Sequence, residues 1–149
     1  LITLLPYEPM RRAALLLPLL LSGTPDAAPA QLFLPGTLSA TQPRVTLRVK
    51  GLESPGRSLM TGLCQVRYTV FDRQGRALLG YPNRGTLCAE VGLGVNTARG
   101  TWGAFTLDLS PVRAARLPAG TYLMTAHIQA QDGGNRVTLV SNTVTLRVP

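Results

Sequence analysis

Apolar and polar residues alternate with a period of two along most of the chain from Arg44 onward. In the segment 44–50 the odd positions are apolar and the even positions are polar or charged, and 64–72 and 101–109 repeat this alternation. The clearest apolar face lies in the segment 122–130, at Tyr122, Met124, Ala126, Ile128 and Ala130. A period of two is typical of a strand that buries one face, so each segment is predicted to be a β-strand.

Turn-forming residues separate these predicted strands. The segment Asp72–Gly75 predicts a turn that joins 64–72 to a short strand at 76–81, so the two strands form a hairpin. The Asp-Gly-Gly-Asn segment at 132–135 predicts another hairpin, whose second strand runs to Val148.

Few residues favour a helix. The segment Ser110–Arg116 predicts one helical turn, with Ser110 as N-cap and Pro111 in the first helical position. Six or seven short strands without a long helix predict an all-β fold, an antiparallel immunoglobulin-like β-sandwich of about seven strands that spans 44–149.

The segment 10–30 has the layout of a secretory signal peptide. Two arginines, Arg11 and Arg12, precede the nine-residue apolar run 13–21, and an Ala-Pro-Ala site at 28–30 predicts a mature chain that begins at Gln31. Nine apolar residues are too few to span a bilayer, so no transmembrane anchor is expected after cleavage. The alternative is a buried N-terminal helix of a cytosolic domain.

Two further segments flank the predicted signal peptide, 1–9 before it and 31–43 after it. If Met10 is the start, 1–9 is an upstream extension. The segment 31–43 shows no periodicity and contains Pro35 and Gly36, so it is predicted to be a linker.

The two cysteines are Cys64 and Cys88. Export to an oxidising compartment favours a disulfide between them, which would close a loop of about 25 residues and stabilise the domain by roughly 3 to 4 kcal/mol. A metal site and a catalytic thiol are the alternatives, but two distant cysteines and one histidine offer few ligands, and no nucleophile motif surrounds either thiol.

The chain carries a net charge of +8, and the predicted mature part keeps 13 basic residues against five acidic ones. These cations are dispersed and few aromatic residues lie between them, which argues against nucleic acid as a partner. A protein or an anionic polymer of the cell envelope is the expected partner.

The sequence shows no catalytic constellation, so the protein is not expected to be an enzyme. His127 is the single histidine, and its neighbours predict a rim or solvent-facing position. Asp72, Asp108 and Asp132 lie at turns or strand ends, where turn hydrogen bonds explain them. No metal site and no cofactor are expected, since the glycine-rich segment 92–100 lacks the spacing of a phosphate-binding loop.

Trp102, the single tryptophan, follows this glycine-rich loop. We expect it in the core, where a large ring fills space between the sheets. If it is exposed instead, Trp102 and Arg99 become the best candidate for a partner contact.

Three segments carry a resemblance to a known family: 66–75, 104–109 and 117–124. Over Cys64–Ala130 the chain resembles the BsuPI-like proteinase-inhibitor domain, a small exported immunoglobulin-like β-sandwich. The resemblance implies the same fold and an inhibitor as one possible function. It carries over no inhibitory residue, because Tyr81 and Leu87 stand where the family has a tryptophan and a phenylalanine.

The segment 117–122 and the final strand also resemble the closing strands of bacterial immunoglobulin-like domains. This implies that Tyr122 packs its ring in the core while its hydroxyl bonds to nearby backbone. Together these observations predict an exported, non-catalytic domain that binds or scaffolds a cell-envelope partner, in the periplasm, the envelope or outside the cell. The alternative is a BsuPI-like proteinase inhibitor, and the sequence does not determine the oligomeric state.

Overall fold

The computed structural model describes residues 27–82, 88–89 and 91–149. Most of the predicted signal peptide and the extension 1–9 lie outside these residues. The described residues form eleven strands, a short 3₁₀ turn and one short helix. In chain order they are β1 (Ala30–Phe33), β2 (Thr37–Ser39), β3 (Arg44–Gly51), β4 (Ser58–Gly62), the 3₁₀ turn (Leu63–Gln65), β5 (Val66–Phe71), β6 (Ala77–Tyr81), β7 (Gly92–Asn96), β8 (Trp102–Asp108), α1 (Ser110–Ala114), β9 (Gly120–Asp132), β10 (Asn135–Val140) and β11 (Val144–Val148).

Two sheets form the sandwich. The smaller sheet has the order β1-β3-β8 and is antiparallel throughout. The larger sheet is built around β9, a strand of 13 residues. One edge of β9 pairs with β11 and then β10, and the other edge pairs with β5 and then β4. The predicted all-β, antiparallel immunoglobulin-like β-sandwich is therefore confirmed, with β2 as a parallel addition beside β11.

The core lies between the two sheets and is built from the alternating faces that the sequence predicts. Leu47 of β3 and Leu107 of β8 are fully buried from one side, and Met124 and Ile128 of β9 are fully buried from the other. Complete burial of a side chain of this size stabilises the fold by about 1.5–3 kcal/mol. Polar residues between them face outward, so each sheet has a solvated outer surface.

The prediction of a linker at 31–43 is wrong. Leu32, Leu34 and Leu38 are buried in this segment, which begins in the smaller sheet as β1 and crosses to the larger sheet as β2. Asn142 holds the crossing, because its side-chain oxygen accepts the Leu34 N–H at 2.8 Å and its amide donates to the Leu34 carbonyl at 3.1 Å. Strands of three and four residues are too short to show a period, which is why the pattern was absent.

The strand pairing extends to the predicted cleavage site. Ala30 is buried and pairs with Gly51, and the Pro29 carbonyl accepts the Leu52 N–H at 3.1 Å. Cleavage after Ala30 would thus fall at the first residue of β1. The signal peptide itself stays a prediction.

The predicted hairpin is present as β5 and β6, with Gly75 at a φ of +83° in the turn. The Asp72 carboxylate accepts the N–H groups of Gln74 and Arg76 and closes this turn. The first strand begins at Val66 and not at Cys64, because the 3₁₀ turn precedes it.

The predicted corner residue is confirmed. The Tyr122 hydroxyl donates to the Pro118 carbonyl at 2.6 Å, and the ring packs against the core. The helix α1 begins one residue earlier than predicted, with Leu109 at the N-cap position in place of Ser110. The Asp108 carboxylate accepts the Ser110 N–H at 2.9 Å, so an aspartate supplies the polar group there.

Candidate binding surface

The disulfide is formed as predicted. Cys64 and Cys88 are bonded, with their Cα atoms 5.7 Å apart. Because both sulfurs are consumed in this bond, neither is available as a metal ligand or as a nucleophile. Cys64, which the alternation placed at the start of the strand 64–72, lies half-buried in the 3₁₀ turn before β5.

The structure does not place Trp102 in the core, and that prediction is wrong. Trp102 is 49% exposed at the start of β8. In this strand the odd positions face the core, with Leu107 buried, so Trp102 at an even position faces outward. The alternation in the sequence does not show which face of β8 is buried. The pairing of β8 with β3 determines the buried face.

Three side chains from the neighbouring strands surround the Trp102 ring. The Arg48 guanidinium lies 4.2 Å from the ring centroid, and the Lys50 ammonium lies 5.6 Å from it. The Phe33 ring is 5.7 Å away, tilted by 42°. We call Phe33, Arg48, Lys50 and Trp102 the tryptophan patch.

The sheet register assembles this patch. Phe33 of β1 lies opposite Arg48 of β3, and Lys50 of β3 lies opposite Trp102 of β8. Each cation–π contact of this kind contributes about 0.5–1 kcal/mol at an exposed site. The contacts therefore favour, by a modest free energy, an arrangement in which the ring and both cations lie together on the outer face of the smaller sheet.

Arg99, the other predicted contact residue, is exposed in the connection between β7 and β8. Its N–H donates to the Glu53 carbonyl at 2.7 Å, which fixes this connection against the end of β3. Among the described residues, Arg48 and Lys50 are the cations over the indole ring, and Arg99 is not. Sequence spacing could not identify them, because they lie more than 50 positions before Trp102 and only the pairing of β3 with β8 joins them.

Among the described residues, no acidic side chain forms an ion pair with Arg48 or Lys50 of the tryptophan patch. The ion pairs among the described residues involve Arg57 with Glu53 and Asp132, and Arg76 with Asp72. The hydrogen bond from Arg57 holds the pKa of Glu53 below its usual value. Glu53 and Asp132 are therefore paired with Arg57, and no other described acidic side chain pairs with the two cations beside Trp102.

A groove of about 320 Å³ opens beside the patch, between β7 and β8. Its lining includes Leu93 and Val95 of β7 and Trp102 and Phe105 of β8. The groove extends the exposed apolar surface at Trp102 toward the larger sheet.

His127 lies half-buried on the outer face of the larger sheet, opposite Arg67 of β5. Burial lowers the pKa of His127, and the charge of Arg67 lowers it further. Asp72 and Asp108 bond to backbone N–H groups, as predicted for turns and strand ends. In the described part of the chain, no three His, Cys, Asp or Glu residues are grouped so that they could hold a metal ion. None of the described helices is long and apolar enough to cross a membrane.

No protein-family model matches the sequence, and no curated protein matches it. Among solved structures, the chain is similar to the C-terminal domain of wzt, with 16% sequence identity and a TM-score of 0.41. The alignment covers 77% of this chain and 64% of that chain, so this chain spans less than two thirds of the other. The resemblance to the BsuPI-like inhibitors stays a prediction.

Proposed function

We propose that this protein is an exported, non-catalytic immunoglobulin-like domain that binds an anionic polysaccharide of the cell envelope through the tryptophan patch. The observation that carries the proposal is the half-exposed Trp102 ring, which stands beside Arg48 and Lys50 on the outer face of a sheet. The disulfide supports export, because such bonds persist in oxidising compartments.

The chemistry of the patch fits a charged sugar chain. An exposed indole offers an apolar surface on which the C–H face of a sugar ring can pack. The Arg48 guanidinium can bind a carboxylate or phosphate with two parallel hydrogen bonds, and Lys50 adds a point charge. A ligand that carries both a ring and an anion would therefore use all parts of the patch at once.

The net charge of +8 acts at longer range. A positive protein attracts a polyanion and increases the rate of encounter, and salt screens this attraction. Binding is therefore expected to weaken as the salt concentration rises, while the contact with Trp102 determines which polyanions bind well.

Fluorescence tests the proposal directly, because Trp102 is the single tryptophan of the chain. The chain is titrated with polygalacturonate, with neutral dextran and with polyphosphate, which carries charge but no sugar ring. Polygalacturonate is expected to change the emission and to bind at least tenfold more tightly than either of the others. Equal binding of dextran would overturn the role of charge, and equal binding of polyphosphate would overturn the role of the ring.

A charge-matched pair of variants separates the patch from the net charge. The variant Arg48→Gln/Lys50→Gln is expected to lose about tenfold or more in affinity, since hydrogen bonds to charged groups contribute about 1.5–3 kcal/mol each. The control Arg113→Gln/Arg147→Gln removes the same charge from exposed positions outside the patch. An equal loss of affinity in both variants would show that binding depends on net charge alone, and it would overturn the proposed site.

A proteinase inhibitor of the BsuPI-like type is the second proposal, and it rests on the sequence resemblance alone. Incubation of the domain with a panel of serine proteases tests it. Stoichiometric loss of protease activity would support the inhibitor, and full activity across the panel would remove it.

A further inference from the structure

A break in the strand beside β9 produces a concavity on the outer face of the larger sheet. The strand β4 pairs with β9 at Met60 and Gln131, and β5 begins to pair only at Val66 and Ile128. The 3₁₀ turn fills the interval between β4 and β5. In this interval the Gln129 carbonyl accepts a hydrogen bond from the Thr61 hydroxyl at 2.6 Å, in place of one from the backbone N–H of a paired strand.

The concavity has a volume of about 370 Å³. We call its side chains the glutamine trough; they are Met60, Thr61, Gln65, Gln129, Gln131 and Arg136. Three amides and one guanidinium thus face one space, and no carboxylate lines it. Within the described residues, neither these three amides nor the guanidinium makes a hydrogen bond to another side chain or to the backbone, so they can bond to a ligand.

The glutamine trough and the tryptophan patch lie on opposite sides of the sandwich. Gln129 and Gln131 alternate with Ile128 and Ala130, which are buried against the smaller sheet, so the two amides face away from it. Trp102 faces outward from the smaller sheet. A ligand in the trough therefore does not contact the patch.

We propose that the glutamine trough is a second ligand site, which binds a hydroxyl-rich acidic saccharide. An amide both donates and accepts hydrogen bonds, so three amides together match the hydroxyl groups of a sugar ring. Arg136 binds the carboxylate or phosphate of the ligand. Met60, whose side chain is 58% exposed, offers an apolar surface to the ring.

Gly62 positions one of the amides. A Cβ atom at Gly62 would lie 2.5 Å from the Gln65 amide oxygen, so the absence of a side chain lets Gln65 fold over the 3₁₀ turn. The disulfide at the adjacent Cys64 ties the same turn to Cys88. The variant Gly62→Ala displaces Gln65 from the trough, because the closest contact of the added Cβ is with the end of this flexible side chain. The Val91 carbonyl would lie 3.3 Å from the Cβ and must shift slightly, so the urea midpoint of this variant is measured as well.

Calorimetric titration of the chain with trigalacturonate and with glucose 6-phosphate tests the site, with maltotriose as the neutral comparison. The acidic probes are expected to bind more tightly than maltotriose. The variant Gln129→Ala/Gln131→Ala is expected to lose about tenfold in affinity, since it removes two of the three amides that bond to the ligand. Gly62→Ala is expected to lose a smaller factor, and Gln74→Ala, which removes an exposed amide from the β5–β6 turn, is expected to lose nothing.

The outcomes separate this site from the tryptophan patch. Retention of affinity in Trp102→Ala, together with its loss in Gln129→Ala/Gln131→Ala, supports the trough as an independent site. A loss of affinity in Trp102→Ala alone would show that the acidic probes bind at the tryptophan patch, and it would overturn the glutamine trough as a binding site. Failure of the wild-type chain to bind either acidic probe at millimolar concentration also overturns it, and the polygalacturonate titration still decides the proposed function. Equal urea midpoints of the variants exclude unfolding as the cause of a loss.

Discussion

Replacement of both Cys64 and Cys88 by serine removes the bond that closes the loop between the 3₁₀ turn and β7. The cysteines are 24 positions apart, and the chain-entropy estimate for a loop of this length is about 3.5 kcal/mol. Native domains are stable by only about 5–15 kcal/mol, so the loss is a large fraction of the total. For a domain of this size it lowers the thermal midpoint by about 10–15 °C.

Two features of the structure make this variant informative. Both cysteines are only half-buried, so serine at these positions adds little cost from buried polar atoms. The turn also keeps contacts that do not involve sulfur, since Leu63 N–H donates to the Val91 carbonyl at 3.1 Å and Arg67 Nε donates to the Cys64 carbonyl at 3.1 Å. The native fold is therefore expected to persist, and the loss should reflect mainly the larger freedom of the unfolded chain.

Urea unfolding followed by circular dichroism measures the effect. Wild-type protein in reductant serves as the control, because it loses the same bond without a change of sequence, and it should agree with Cys64→Ser/Cys88→Ser within about 0.5 kcal/mol. A loss below about 1 kcal/mol in both samples would refute the chain-entropy reasoning. A large loss in the serine variant alone would assign the effect to the substitutions.

Three further predictions follow from single contacts. Tyr122→Phe removes the hydrogen bond to the Pro118 carbonyl and should cost about 0.5–1.5 kcal/mol in urea unfolding. Thr97→Val should cost about 1–3 kcal/mol, because the buried Thr97 hydroxyl accepts the Arg57 N–H at 2.8 Å and donates to the Arg57 carbonyl at 3.0 Å. The hydrogen bond from Arg57 lowers the pKa of Glu53 in the folded state. As the pH falls, Glu53 is therefore protonated at a higher pH in the unfolded chain than in the folded protein. The free energy of unfolding decreases as the pH drops below the usual glutamate pKa. Glu53→Gln should therefore reduce the loss of stability between neutral and acidic pH.

Matched variants control for the substitutions themselves. Thr106→Val makes the same replacement at an exposed position of β8, and it should change stability by less than about 0.5 kcal/mol. An equal effect of Thr97→Val and Thr106→Val would contradict the role of the buried hydroxyl. Tyr122→Phe with unchanged stability would show that the corner bond exchanges freely with water, and a Glu53→Gln variant with the wild-type pH profile would assign acid destabilisation to other groups.

The local parts of the fold were predictable from the sequence. The hairpin of β5 and β6 follows from two alternating strands and a turn that Asp72 and Gly75 specify. The corner at Tyr122 follows from a motif of adjacent residues. The linker prediction failed because β1 and β2 are too short to show a period and are stabilised by pairing with β3 and β11. Asn142, far along the chain, holds Leu34 between them.

The candidate site was predictable only in part. The alternation in 101–109 shows that one face of β8 is buried, but each face carries apolar residues and the period does not choose between them. The pairing of β8 with β3 places Leu107 in the core and Trp102 at the surface. The same pairing brings Arg48 and Lys50 to the ring, which no local motif encodes.

The sequence by itself determined the longer alternating strands and the turns at 72–75 and 132–135, because these depend on the order of neighbouring side chains and on the backbone preferences of glycine and aspartate. It also identified the cysteine pair. It did not show the short strands β1, β2 and β7, or the interruption that divides the predicted last strand into β10 and β11. The tertiary structure decided everything that depends on register and on strands far apart in sequence. These are the exposure of Trp102, the cations beside it, and the concavity that the break between β4 and β5 opens next to β9. The physical reason is that a pattern of period two specifies two faces of a strand, and only the packing of the sheets specifies which face meets water.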